Sequence, residues 1–189
     1  SPCAAAAIYH RDIYVSMGGM AEYFFCYYED VDLGLRFRLL GHETIQLAGA
    51  KVRHVGSTTA GKNSKFIKYY VSRNRIWTFI RCVPGLLFAA CLPLLILSIV
   101  TRLCFSIFAG DTSTKLKAFF DAFRRLFRIW NDRKVIQKAR KSSVLQFGSD
   151  MTWSIGKLIL RSSDCRPISP EKFSKEPSAP FQAGGLDGS

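Results

Sequence analysis

Cys82 to Thr101 is a run of twenty residues without a charge, bracketed by Arg81 and Arg102. That length is what a helix needs to cross the apolar core of a bilayer, and a soluble domain has to cover such a run completely. Pro84 and Pro93 interrupt it. A membrane helix tolerates prolines, and a re-entrant pair of half-helices uses them. The flanks help to choose between these. Gly61 to Gly110 holds seven Lys and Arg and no acid, and Asp111 to Lys141 holds ten against three acids. A single span would place these basic stretches on opposite sides, against the tendency of basic loops to stay on the cytoplasmic face. The expectation is therefore a re-entrant or interfacial hairpin broken near Pro93, favoured over a span.

The residues after this run support a membrane surface. Leu116, Phe119, Phe120, Phe123, Leu126, Phe127 and Trp130 recur at helical spacing, with Lys117, Arg124, Arg125 and Arg128 among and opposite them. A basic amphipathic helix rich in Phe and Trp suits an interfacial helix on anionic lipid. Its continuous apolar stripe suits lipid better than stacked bases, so no nucleic-acid partner is expected. Most of the net charge of +13 lies in these segments, whereas residues 1 to 60 nearly balance. The six cysteines lack metal-ligand spacing and read as reduced thiols in a cytosolic compartment. From Ser169 onward Pro, Ser, Gly and Lys dominate, as in disordered tails.

The front of the chain reads differently. Cys3 to Tyr9, Thr44 to Leu47 and Lys51 to Val55 read as short strands. Arg11 to Gly19 reads as a short helix closed by Gly18-Gly19, Glu29 to Leu40 as a helix stopped by Gly41, and Phe66 to Ile80 as a third. The acids Glu29, Asp30 and Asp32 fall in the first turn of the second helix, where the helix dipole favours negative charge. A solvated helix start is the ordinary explanation of such a cluster. Here Phe24, Phe25, Tyr27 and Tyr28 precede the acids, and apolar neighbours raise a carboxylate's pKa toward that of a useful base.

In order along the chain stand Gly18-Gly19, Phe24-Phe25, Tyr28-Glu29-Asp30-Val31-Asp32-Leu33, Arg36 and Gly41. Ala50-Lys51-Val52 ahead of His54, Gly56-Ser57, and Tyr70 with Arg73-Asn74 follow. This ordered set resembles the family 2 glycosyltransferases, especially their rhamnosyltransferase-like branch, closely over residues 1 to 80 and more loosely to about Lys141. One departure is Gly18-Gly19-Met20-Ala21-Glu22, where family members often read Gly-Gly-Phe-Asp-Glu.

The resemblance implies an α/β fold, the C-terminal part of a GT-A, Rossmann-like sandwich, followed by apolar and amphipathic membrane-associated helices. It implies inverting transfer of a sugar, rhamnose among the candidates, from a nucleotide-sugar to a polyprenyl-linked or glycan acceptor in bacterial surface-polysaccharide synthesis. Asp30 takes the place of the general base, Glu29 contacts the acceptor, and Asp32 supports the motif, with Arg36 as a possible partner. His54 corresponds to a ligand of a divalent cation, Mn²⁺ or Mg²⁺. Arg73, Asn74, Arg75 and Trp77 stand where relatives touch diphosphate or acceptor, although a basic face resting on anionic lipid explains the arginines equally well. The loop Ser57 to Ser64 is a candidate to close over the donor. The nucleotide-binding strands and the remaining cation ligands are expected before Ser1, so the chain is expected to be inactive alone. The implied organisation is 1–80 catalytic, 81–110 apolar and membrane-associated, 111–145 a basic interfacial helix, and 146–189 a mostly disordered tail, at the cytoplasmic face of the bacterial inner membrane. The competing expectation is a non-catalytic basic membrane-binding or scaffold module.

Overall fold

The computed structural model describes residues 6–151, apart from 46, 48, 51 and 53–63, together with residue 153. The chain divides into a unit of residues 1–151 and a unit of 152–189, and every helix among the described residues lies in the first. Its elements in order are α1 (Arg11–Ser16), a single 3₁₀ turn at Glu22–Phe24, α2 (Glu29–Leu39) and α3 (Lys65–Cys82). Then come α4 (Gly85–Ala109), α5 (Thr112–Arg124), α6 (Leu126–Lys138) and α7 (Val144–Ser149).

No strand occurs among the described residues, which corrects the expected α/β sandwich. The physical reason lies in what the helices bury. The apolar runs that read as strands do not find a partner layer: Ile8 is 99% exposed, and Ile45, Leu47 and Val52 are exposed as well. The rest of the expected strand Lys51 to Val55, like Cys3 to Ala5, lies outside the described residues.

The helix α3 is the hub, packing on α2, α5 and α6. The Ser64 side chain caps its start by accepting the Ile67 N–H at 3.3 Å, and its end falls before Pro84, which forces Val83 into an extended conformation. The carbonyls at that end find partners on α6. Arg133 donates to the carbonyls of Ile80 and Val83 at 2.5 and 2.6 Å, and Gln137 to those of Arg81 and Cys82 at 3.2 and 3.3 Å. Two α6 residues one turn apart thus do the work of a C-cap. Phe24, Ile76, Trp77, Ile80, Phe119, Ala122 and Ile129 form the main core, and a smaller one joins Leu39, Cys82 and Phe147. Each large side chain fully buried in this way contributes about 1.5–3 kcal/mol.

The apolar run forms one helix through Pro93, not a hairpin broken there. A proline inside a helix removes one N–H hydrogen bond, and in α4 the neighbouring turns continue around it. The helix has 25 residues, about 37 Å at 1.5 Å per residue, and ends at Gly110 with φ +65°. It is long and apolar enough to cross a membrane, and its most apolar stretch, with mean hydropathy 2.3, is not buried by the rest of the protein. Phe108 is 90% exposed, and Leu86, Leu94, Leu97, Phe105 and Ile107 are also uncovered. A core helix of a soluble domain would be covered on this face.

The expected single amphipathic helix over 111–145 is two helices with a break at Arg125. In an unbroken helix Leu126 would bond the Ala122 carbonyl. That carbonyl instead accepts the Trp77 indole N–H at 3.1 Å. Of the aromatic stripe only Phe119 turns into the core; Leu116, Phe120, Phe123, Phe127 and Trp130 stay exposed. Asp111 ties the α4–α5 corner to α3, pairing with Lys68 at 2.8 Å and Lys115 at 3.2 Å. Those lysines hold its carboxyl below the usual range. The expected tail 146–189 begins inside α7, and from residue 154 it lies outside the described residues.

Candidate functional site

Between the 3₁₀ turn and α2 the backbone adopts an expensive shape. Phe25, Tyr27 and Tyr28 have φ of 67°, 62° and 73°, left-handed values that non-glycine residues rarely adopt. Each such residue costs about 1–3 kcal/mol, and clusters of them persist where surrounding contacts hold them. The holding group is Asn74. Its side-chain amide donates to the carbonyls of Phe24 at 3.0 Å, Cys26 at 2.8 Å and Tyr27 at 2.7 Å, so one of its two hydrogens is shared. Arg73 sets that amide by donating to the Asn74 Oδ1 at 2.9 Å, and adds a bond to the Phe24 carbonyl at 3.0 Å. The Arg73 guanidinium is itself boxed by aromatic faces, 4.2 Å from the Trp77 ring centre and 4.7 Å from that of Tyr70.

The loop delivers Glu29 and Asp30 to the first turn of α2. One oxygen of Asp30 accepts the Val31 N–H at 2.8 Å. Glu29 is half-buried, its Oε2 is shut off from solvent without a hydrogen-bond partner, and burial pushes its pKa up, with the neighbouring Asp30 adding to the rise. Beside them Phe25 is exposed and packs on Phe66 and Tyr70. The result is a carboxylate pair on a preset backbone at an aromatic rim.

Asp32 does something else. It is fully buried, with Arg36 Nε at 2.8 Å from one oxygen and Arg81 Nη1 at 2.9 Å from the other, and the Cys82 thiol at 3.4 Å. Arg36 continues to the carbonyls of Met17 at 2.9 Å and Gly19 at 2.6 Å. Asp32 and Arg36 are thus part of a buried lock between α2, α3 and the Gly18-Gly19 turn, not a solvated pair along one helix. Gly19 is required there twice over: its φ is +61°, and a Cβ would meet the Tyr14 ring at 2.9 Å.

The other expected site residues divide. Arg73 and Asn74 are brought to the acidic loop, but as its clamp. Trp77 is fully buried in the core, where its indole N–H bonds the Ala122 carbonyl at 3.1 Å. Arg75 points the other way, donating to Ser98 on α4 at 3.0 Å, with Nε and Nη2 buried and unpartnered; burial, then Arg102, lowers its pKa. His54 and most of the loop Ser57 to Ser64 lie outside the described residues. Among the described residues no three His, Cys, Asp or Glu side chains converge as a cation site. Arg81 was missed as a functional support. One signal pointed to it: a cation buried in the acid-free stretch 61–110 has to find its acid elsewhere, and Asp32 is among the few available.

No protein-family model, curated protein or solved structure matches the chain.

Proposed function

We propose that this chain carries the acceptor-side base of an inverting sugar transferase that works at a membrane surface. The sugar, rhamnose being the one the resemblance suggests, moves from a nucleotide-sugar to a lipid-linked or glycan acceptor of a bacterial cell surface. The observation that carries this reading is the strained loop at Phe25, Tyr27 and Tyr28, held by Asn74 and Arg73. A solvated helix start needs no such shape, whereas a base needs its carboxylate preset against a hydroxyl.

In the proposed step an acceptor hydroxyl gives its proton to Asp30 as its oxygen attacks the anomeric carbon. The bond from that carbon to the nucleotide diphosphate breaks, and the diphosphate leaves with the electron pair. Glu29, with its raised pKa, orients the hydroxyl. The exposed faces of α4 and α5 would rest in the cytoplasmic leaflet of the inner membrane, bringing a lipid-linked acceptor to the aromatic rim.

Those same exposed faces favour a second reading, a non-catalytic basic membrane-binding module. Radiolabel separates the two. Membranes containing the protein in its full natural context are expected to move label from a nucleotide-sugar into the lipid or glycan fraction, and membranes lacking it are not. Equal labelling in both, across the common nucleotide-sugars, would leave only the membrane module.

A further inference from the structure

At the break between α5 and α6 a concave cavity of about 260 Å³ opens against α3, lined by Tyr69, Arg73, Trp77, Asp121, Arg124 and Arg125. It holds three guanidiniums against one carboxylate. Asp121 is engaged, accepting the Tyr69 hydroxyl at 2.6 Å. Arg73 is buried and forms no ion pair among the described residues, and neither do Arg124 and Arg125, which are exposed at the mouth. The cavity therefore keeps a surplus of positive charge. Next to Arg124 and Arg125 in sequence, Phe123 and Phe127 are 56% and 81% exposed on either side of the break, with Phe120 one turn before.

We propose that this cavity is a headgroup site for an anionic phospholipid. The phosphodiester sits between the Arg124 and Arg125 guanidiniums, above the buried Arg73, and the acyl chains lie along Phe123 and Phe127. Guanidinium forks match phosphate oxygens in pairs, which a lysine ammonium cannot do. The volume falls just below the usual range for small-molecule pockets of about 300–1,000 Å³, so it suits a glycerophosphate headgroup and is too small for a nucleotide-sugar. The Trp77 indole N–H bonds the Ala122 carbonyl one turn before the break at Arg125, beside the cavity that Trp77 lines. The inference rests on the membrane part of the proposed function and adds a lipid site that shares Arg73 with the clamp of the Glu29–Asp30 loop.

The test is flotation of the whole protein with vesicles of phosphatidylcholine alone and with one-fifth phosphatidylglycerol. The unaltered protein is expected to prefer the anionic vesicles. Arg124→Gln with Arg125→Gln should cut binding to them about twentyfold. Arg124→Lys with Arg125→Lys keeps the charge but loses the forks, and should cut it about fivefold. Neither pair should change binding to phosphatidylcholine. Full binding by the lysine pair would mean bulk attraction and overturn the site. Equal binding of the unaltered protein to both vesicles overturns the site while leaving the membrane reading standing. Binding to neither overturns both. Soluble glycerol phosphate, at the concentration of accessible lipid, should not release the protein; release would assign the cavity to free phosphate esters and overturn the lipid assignment.

Discussion

Asp32→Ala is expected to lower the unfolding free energy by about 3–5 kcal/mol, the cost of leaving buried charges without their partner. Two cations meet on this one carboxylate, and Arg81 has only a longer second contact, to Asp132 at 3.8 Å. Arg36 and Arg81 lie 2.8 and 2.9 Å from its oxygens, and all three side chains are almost wholly withdrawn from solvent. An exposed pair at the same helical spacing would contribute only about 0.3–0.5 kcal/mol, so the two descriptions differ by nearly tenfold. Chemical denaturation of the purified protein and the variant distinguishes them. A loss under about 1 kcal/mol would show that the lock is solvated in solution.

Asp30→Asn should behave in the opposite way, reducing sugar transfer by about 10²–10⁴-fold, the range for removing a general base. Its effect on stability should be small, because the carbonyl oxygen of asparagine can still accept the Val31 N–H that Asp30 now accepts at 2.8 Å. Glu29→Gln provides the contrast. Glutamine can still hydrogen-bond an acceptor hydroxyl, so its loss should be smaller than that of Asp30→Asn. Transfer rates in membranes, with an unfolding midpoint measured for each variant, check all three statements. An Asp30→Asn protein that transfers at the normal rate removes Asp30 from the chemistry.

The helices were legible where their causes were local. Gly18-Gly19 and Gly41 end α1 and α2 because their positive φ values stop a right-handed helix cheaply. The break between α5 and α6 was not legible: it coincides with an indole from α3 on the Ala122 carbonyl, a contact spanning 45 residues of sequence. Where the expected strands fall among the described residues, their absence has one cause. Short apolar runs such as those at Ile8 and Ile45 look the same whether or not a sheet exists to receive them.

The site was half legible. Its acids announced themselves by type and position, and their aromatic neighbours explained why burial would raise a carboxylate's pKa, as it does for Glu29. The roles of Arg73 and Asn74 were not readable, because residue type suggested ligand contact. Only the left-handed turns at Tyr27 and Tyr28 aim the loop carbonyls at these side chains. Pro93 shows the same limit for the apolar helix α4: a proline signals a lost hydrogen bond, and the surrounding turns decide whether the helix breaks.

The most direct measurement of the central claim is the anomeric configuration of the first product, read by NMR from a donor of known configuration. A single displacement driven by Asp30 as base predicts inversion. Retention, whether by two successive displacements or by attack on the face the diphosphate leaves, would contradict an in-line displacement.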